Sequence, residues 1–326
     1  MADALTLARA LANPAIVADL DAQAWTALLT VARAEQLLGT LAHRLDGFPV
    51  PNQAAQVLAD AQENARNERR TALWEAEMAR RALTGLGIPV VLLKGTAYAA
   101  AGLSAGQGRS IGDLDLLVPR DRLADVEAAL ISQGWEWVKP DPYNDLYYRR
   151  WMHELPPLIH RDRDRIADLH HTILPLTAKP RPDAAALIAD AVPLGNGLYV
   201  LSPADMIVHA SAHLFADGDL AGGLRNLWDI RCLLEEFDDR DLQARAAHHG
   251  LSPTVARAQR LVNVIFDGKQ PLTRDRPYLS RLVARDAWGR PTRPIARQAF
   301  YIRSHLLRMP PIMLARHLWI KVQRGA

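Results

Sequence analysis

The first 86 residues are spaced for helices. In "AWTALLTVARAEQLLGTLAHRL", residues 24–45, leucine, alanine and valine recur at intervals of three and four, which lays an apolar stripe along a helix. "NQAAQVLADAQENARNERRTALWEAEMARRALTGLG", residues 52–87, continues that spacing, with Asn52 placed to cap its start and Gly85 and Gly87 to end it. At residue 89 the period changes. "PVVLLKG" is a short β-branched and leucine run stopped by glycine, the pattern of a buried strand. A small-residue turn or short helix ("TAYAAAGLSAGQG") leads to a second strand in "RSIGDLDLLV", residues 109–118, and then to a helix in "RDRLADVEAALISQGW". "YYRRWMHELPPLIH" and "RIADLHHTI" read as two extended segments separated by the charged turn "RDRDR", hence as an antiparallel pair. Helical spacing returns in "SPADMIVHASAHLFADG", where Ser202 caps and Pro203 takes the first position, and persists through "AGGLRNLWDIRCLLEEF" and "LSPTVARAQRLVNVIF". The expected class is α+β: a helical region over 1–87, a small mixed-sheet core over 88–200, and a second helical region over 201–326.

Composition narrows the class without naming a chemistry. Hydrophobic residues make up 49% and charged residues 23% of 326, which is ordinary for a globular chain. A single cysteine, Cys232, excludes an intrachain disulfide. No uncharged apolar run approaches the ~20 residues that span a bilayer, and the N-terminus lacks a basic segment followed by an apolar one. A cytoplasmic protein is expected. The net charge of +3 is mild, but no acidic residue follows Asp286, while Arg290, Arg293, Arg297, Arg303, Arg308, Arg316, Lys321 and Arg324 do. That basic tail suits either solvent or an anionic partner.

The chemistry is concentrated in "GDLDLLV". Asp113 and Asp115 are one residue apart at the start of a strand, so their side chains point to the same face. Two carboxylates that close repel each other unless a cation lies between them. All-oxygen donors suit magnesium, or manganese, which also binds substrate phosphates. A further carboxylate is needed for a two-metal arrangement, and Asp168, in the otherwise apolar "RIADLHH", is the candidate. "LLKGT" places Lys94, Gly95 and Thr96 where a strand gives way to a turn. Glycine there permits close backbone approach to an anion. The lysine precedes the glycine, so this is not a P-loop.

Together, "LLKGT", "RSIGDLDLLV" and "IADLHH" resemble the nucleotidyltransferase superfamily of kanamycin nucleotidyltransferase and DNA polymerase beta. The chain resembles more narrowly a bacterial family of uncharacterised nucleotidyltransferases, with Lys-Gly in the first turn and an arginine shortly before the DxD. The resemblance implies that Asp113, Asp115 and Asp168 are catalytic and metal-binding, and that Gly95 and Thr96 form the phosphate turn. Threonine stands where the superfamily has serine, which keeps the hydroxyl, and the interval from Gly95 to Asp113 is longer than in many relatives. The implied reaction moves a nucleoside monophosphate from a nucleoside triphosphate, ATP first among them, to an acceptor hydroxyl. A small molecule, a protein side chain or an RNA end would all serve as acceptor.

Other residues gather around this set. Arg109, four residues before Asp113, suits a phosphate, or a salt bridge to Asp113 or another acid. His170 shares a strand face with Asp168, where it would orient that carboxylate or donate to phosphate. His153 and Glu154 are within reach of the same region. His209 and His213 are four apart on a helix, as are Arg225 and Asp229; the first pair lacks a companion ligand and the second reads as an ion pair. Two alternatives to an enzyme of this kind are a catalytically silent nucleotide-binding module, regulatory or antitoxin-like, and a DxD glycosyltransferase. In the latter the apolar strand leads into the DxD, whereas here it follows.

Overall fold

A computed structural model describes residues 4–216, 219–238, 240–308 and 314. Helices α1 (Ala4–Ala12), α2 (Ala22–Ala34), α3 (Leu38–Arg44) and the long α4 (Asn52–Leu83) open the chain. Asn52 is not the cap of α4: it is the first helical residue, and Pro51 holds the cap position without a side-chain bond. The stop is as expected, with Gly87 in the left-handed region at φ 61°.

The sheet follows: β1 (Val90–Leu92), β2 (Leu114–Leu117), β3 (Trp135–Trp137), β4 (Leu158–His160), β5 (Ile166–His170), β6 (Val192–Pro193) and β7 (Leu198–Val200). Its order is β3-β4-β5-β2-β1-β7-β6. The central strands β5, β2 and β1 are bordered by a parallel β2–β5 pair and an antiparallel β1–β2 pair. Every residue of β1 and β2 is buried, which is why β1 reads as a short unbroken apolar run and β2 as an apolar run interrupted only by Asp115. Between them come α5 (Lys94–Ala100), after β1, then α6 (Leu123–Ser132), α7 (Pro142–Trp151) and α8 (Ala184–Ala189).

One element departs from the sequence reading. "YYRRW" is the end of α7; the strand is shortened to Leu158–His160, which pairs antiparallel with β5, and Glu154 adds an isolated antiparallel bridge to His170. Tyrosine and tryptophan favour strands, but Asp141 and Pro142 form a helix start. The Asp141 carboxylate accepts from Tyr143 N at 3.2 Å, with proline at the first position. Arg149 then pairs with Asp145 one turn back at 2.7 Å and with Glu127 of α6 at 2.8 Å. The "RDRDR" turn also has a tertiary role. Arg163 makes two bonds, 2.8 and 2.9 Å, to the buried Glu75 of α4 and stacks 4.5 Å from the Trp135 ring.

After the sheet come α9 (Pro203–Ala216), α10 (Gly223–Glu236), α11 (Leu242–His248), α12 (Ser252–Asp267), α13 (Arg276–Val283) and α14 (Pro294–Arg308). Ser202 caps α9 as expected, accepting from Asp205 N at 3.3 Å. One buried cluster runs from Leu7 through the strands to Phe300, so both helical regions share the core of the sheet. Of the basic tail, Arg290, Arg293 and Arg297 are exposed. Arg303 is not: it donates to Phe215 O at 3.1 Å and stacks 5.5 Å from the Tyr278 ring. Arg316, Lys321, Arg324 and the side chain of Arg308 lie outside the described residues.

Candidate active site

Strand register assembles the acidic cluster. β2 and β5 run parallel with Asp115 directly opposite Asp168, so the two carboxylates leave the same face of the sheet as neighbours. Asp113 sits just before β2 and reaches the same place, and carboxylate oxygens of Asp113, Asp115 and Asp168 all lie within 4.8 Å of one another. Asp115 is buried, Asp168 half-buried and Asp113 exposed, so the cluster opens to solvent at one end.

The charges respond to that crowding. Burial, then the charges of Asp115 and Glu154, push the Asp168 carboxyl up to about 7. Burial and Asp115 likewise raise Asp113. Asp115 goes the other way: burial alone would raise it, but Lys94 and His170 outweigh burial and hold it well below the usual carboxylate range. Lys94 Nζ lies 2.6 Å from Asp115 Oδ1, and His170 Nε2 lies 2.9 Å from the same oxygen. Burial would lower the Lys94 ammonium, yet Asp115 raises it above its ordinary value. It stays charged.

His170 therefore serves a different carboxylate from the one expected. Alternation puts Asp168 and His170 on one face of β5, but the imidazole leans across to the neighbouring strand and bonds Asp115 rather than Asp168. Arg109 resolves to an ion pair with an acid distant in sequence, Asp229 of α10. Asp229 also accepts from Arg225 at 3.4 Å, and Arg225 donates to Gln36 O at 2.7 Å and to Thr40 Oγ1 at 2.6 Å. The loop before the DxD is thus tied to α10 and, through it, to the N-terminal helices. Nothing in the spacing of Arg109 announces Asp229, 120 residues later; the only sequence signal is an acid among apolar neighbours in "LWDI".

The turn after β1 is built tightly. Lys94 has a φ of 49°, a left-handed backbone that costs a non-glycine residue about 1–3 kcal/mol. This strain is at the residue whose side chain contacts Asp115. Gly95 follows, and a Cβ there would lie 2.6 Å from Arg109 Nε. The glycine is needed here for the arginine that crosses it. The Thr96 hydroxyl donates to Asp113 O at 3.4 Å and is buried, so it braces the DxD in this conformation. Ile111 N is held by Glu68 at 3.1 Å and Ile111 O by Arg165 at 3.1 Å. His153 and Glu154 stand beside the acids, and Glu154 forms a single β-bridge with His170. His209 is buried, with its ring 6.4 Å from that of His213.

The donor set fits a divalent cation. Three carboxylates, hard oxygen donors with Asp115 and Asp168 on rigid strands, carry more negative charge than Lys94 alone offsets, and that crowding adds to burial in raising Asp168. A sequence family described as uncharacterised nucleotidyltransferase matches residues 21–267. The chain belongs to that family. The match takes in helices α2 to α4, the whole sheet and the helices through α12, so this nucleotidyltransferase family includes the helical surroundings as well as the acidic motif. No curated protein matches the chain. Among the described residues, no helix is long and apolar enough to cross a membrane.

Proposed function

We propose that the face of β2 and β5 is the catalytic centre of a magnesium-dependent nucleotidyltransferase. It would transfer a nucleoside monophosphate from a nucleoside triphosphate, ATP the first to try, to an acceptor hydroxyl with release of pyrophosphate. The observation that carries this reading is the convergence of Asp113, Asp115 and Asp168 within 4.8 Å, in a member of this family. Asp113, Asp115 and Asp168 would hold magnesium, which supplies positive charge to the phosphates and to the acceptor oxygen when bound. Where Asp168 is left free of the ion, its half-buried carboxylate would instead take the acceptor proton. Lys94 would present its ammonium to a phosphate oxygen once a cation neutralises Asp115. Gly95 and Thr96 would hold the DxD in register beside that phosphate, and Arg109 would act from behind them through α10.

The test is the fate of label. Label on the α-phosphate should reach an acceptor, or the protein itself, and label on the γ-phosphate should appear only in pyrophosphate. Asp113→Asn and Asp115→Asn should each abolish the transfer with the fold intact. Transfer of γ-label to any acceptor would make the enzyme a kinase and end this reading.

A second reading, a nucleotide-binding module without turnover, draws on the Lys94–Asp115 pair. An ammonium 2.6 Å from the most buried acid of the cluster already supplies the neutralising charge that a metal would bring. A chain that binds nucleotide with Lys94 in place, and transfers no α-label across a broad panel of acceptors, would favour it.

A further inference from the structure

Beside the acidic cluster lies a second group whose donors differ in kind. His153 and Glu154 follow α7, and His170 ends β5. One ligand atom from each lies within 4.8 Å of the others. Glu154 Oε2 is 3.6 Å from His153 Nε2 and 3.5 Å from His170 Nε2. These separations are long for hydrogen bonds. They suit ligands of a common ion, since donors about 2.1 Å from a tetrahedral centre stand about 3.4 Å apart. The Nδ1 atoms of both rings are buried and have no hydrogen-bond partner among the described residues, so the Nε2 edges are the sides that meet polar groups. The side chains of His153 and Glu154 are each about a fifth exposed, 21% and 20%, which leaves an entry path.

We propose that His153, Glu154 and His170 form a second divalent-cation site, selective for a nitrogen-preferring ion such as zinc over magnesium, and linked to the acidic cluster through Asp115. Two imidazoles and one carboxylate are the donor set of open zinc sites, whereas magnesium prefers oxygen throughout. The charge favours it: four carboxylates, those of Asp113, Asp115, Asp168 and Glu154, surround this corner, and Lys94 is the cation set against Asp115. His170 is the hinge between the sites. Without an ion, its Nε2–H donates to Asp115 Oδ1 at 2.9 Å. With an ion, the Nε2 lone pair is the ligand, the ring stays neutral and its proton sits on Nδ1. Asp115 then loses one of its two donors and can itself turn an oxygen to the ion as a fourth ligand. Occupancy of the histidine site would in this way change the charge environment of the acid at the centre of the other cluster.

The same structure bounds the affinity. Ligating histidines ordinarily donate the other ring nitrogen to a carbonyl or carboxylate, and losing such a partner weakens a site by about 10–100-fold. Here both Nδ1 atoms lack one among the described residues. The site should be exchangeable rather than structural.

The experiment is a cobalt titration of the full chain after dialysis against chelator, read by visible d–d absorption and by competition with zinc. The expected result is a stoichiometric complex with a nitrogen-ligated spectrum, displaced by zinc and not displaced by excess magnesium. His153→Gln and Glu154→Gln should each weaken cobalt binding at least ~10-fold, while Asp113→Asn should retain the spectrum. Because His209 and His213 form a nearby pair, His209→Gln is the control, and it too should retain binding. Circular dichroism of each metal-free variant checks folding, and if His153→Gln fails it, Glu154→Gln carries the test. Absence of a stoichiometric cobalt complex, loss of it in Asp113→Asn or His209→Gln, or unchanged affinity in both His153→Gln and Glu154→Gln would each overturn the assignment. None of these readouts needs turnover, so the nucleotidyl-transfer reading can fail while the site stands, and the reverse.

Discussion

Lys94 Nζ and Asp115 Oδ1 are 2.6 Å apart at the junction of β1 and β2, the lysine on a left-handed backbone and the aspartate at 2% exposure. The pair is the local answer to a crowded set of acids. An ammonium on a flexible stem can leave when a stronger cation arrives, and a fixed ion cannot.

The first prediction removes that ammonium. Lys94→Met should leave Asp115 buried with only His170 as donor and destabilise the metal-free protein by about 3 kcal/mol. Magnesium should then raise the melting temperature of Lys94→Met more than that of wild type, because the ion no longer competes with the lysine. Thermal melts with and without magnesium check this; an equal magnesium shift in both proteins would mean that Lys94 and the ion do not share Asp115.

Asp168 gives a pH dependence with a definite sign. Its carboxyl is raised from 3.8 to about 7, first by burial and then by Asp115 and Glu154. The folded state therefore holds this proton more tightly than the unfolded chain. The associated stability is fully present below pH 3.8 and is lost as pH rises through about 7. Magnesium needs the ionised form, so its affinity should climb over that window with proton release on binding. Calorimetry in buffers of different ionisation heat measures the released proton. In Asp168→Asn both the proton release and this part of the stability slope should vanish.

Gly95 and Arg109 should couple. A Cβ at Gly95 would lie 2.6 Å from Arg109 Nε, on a side chain pinned by its ion pair to Asp229. Gly95→Ala should cost about 1–3 kcal/mol as overpacking. Arg109→Ala should cost about 3–5 kcal/mol by leaving Asp229 short of a partner. The double variant should be more stable than the sum of the two losses, by at least about 0.5 kcal/mol. Denaturant unfolding of the four proteins closes the cycle, and strict additivity would show that the glycine is not there for the arginine.

Thr96 separates bracing from phosphate binding. Its buried hydroxyl donates to Asp113 O at 3.4 Å, at the edge of the core. Thr96→Ser should keep that bond and lose a buried methyl, costing about 1 kcal/mol. Thr96→Val keeps the shape, loses the bond and leaves a buried hydroxyl's partner unsatisfied, costing about 1–3 kcal/mol. If Thr96→Val instead lowers affinity for a non-hydrolysable triphosphate with stability unchanged, the hydroxyl serves the nucleotide directly.

Much of this protein was decided locally and could be read along the chain. Runs such as "VVLL" and "LDLLV" are strands because both faces are covered, three-and-four spacing in α4 and α12 makes helices with one buried side, and the nearly unbroken small and apolar text of α9 makes a helix buried all round. Two aspartates one residue apart call for positive charge nearby, which Lys94 supplies to Asp115, and Asp168 stands out as an acid in an apolar strand. Local signals also compete, and at α7 the Asp141–Pro142 start outweighed the strand preference of the aromatics beyond it.

Tertiary structure decided which groups share a space. Whether Asp168 lies opposite Asp115 or elsewhere depends on the order and register of β2 and β5, which no period along one strand records. His170 bonds Asp115 rather than its own strand's Asp168 because the nearest acceptor lies across the parallel neighbour, a relation set by sheet order. Arg109 meets Asp229 only because α10 packs against the loop before the DxD, and an arginine's reach says nothing of which distant acid will fill it. Side-chain chemistry and period are properties of a few consecutive residues. Pairings across the core are won by the whole packing, and they were settled only when the chain closed on itself.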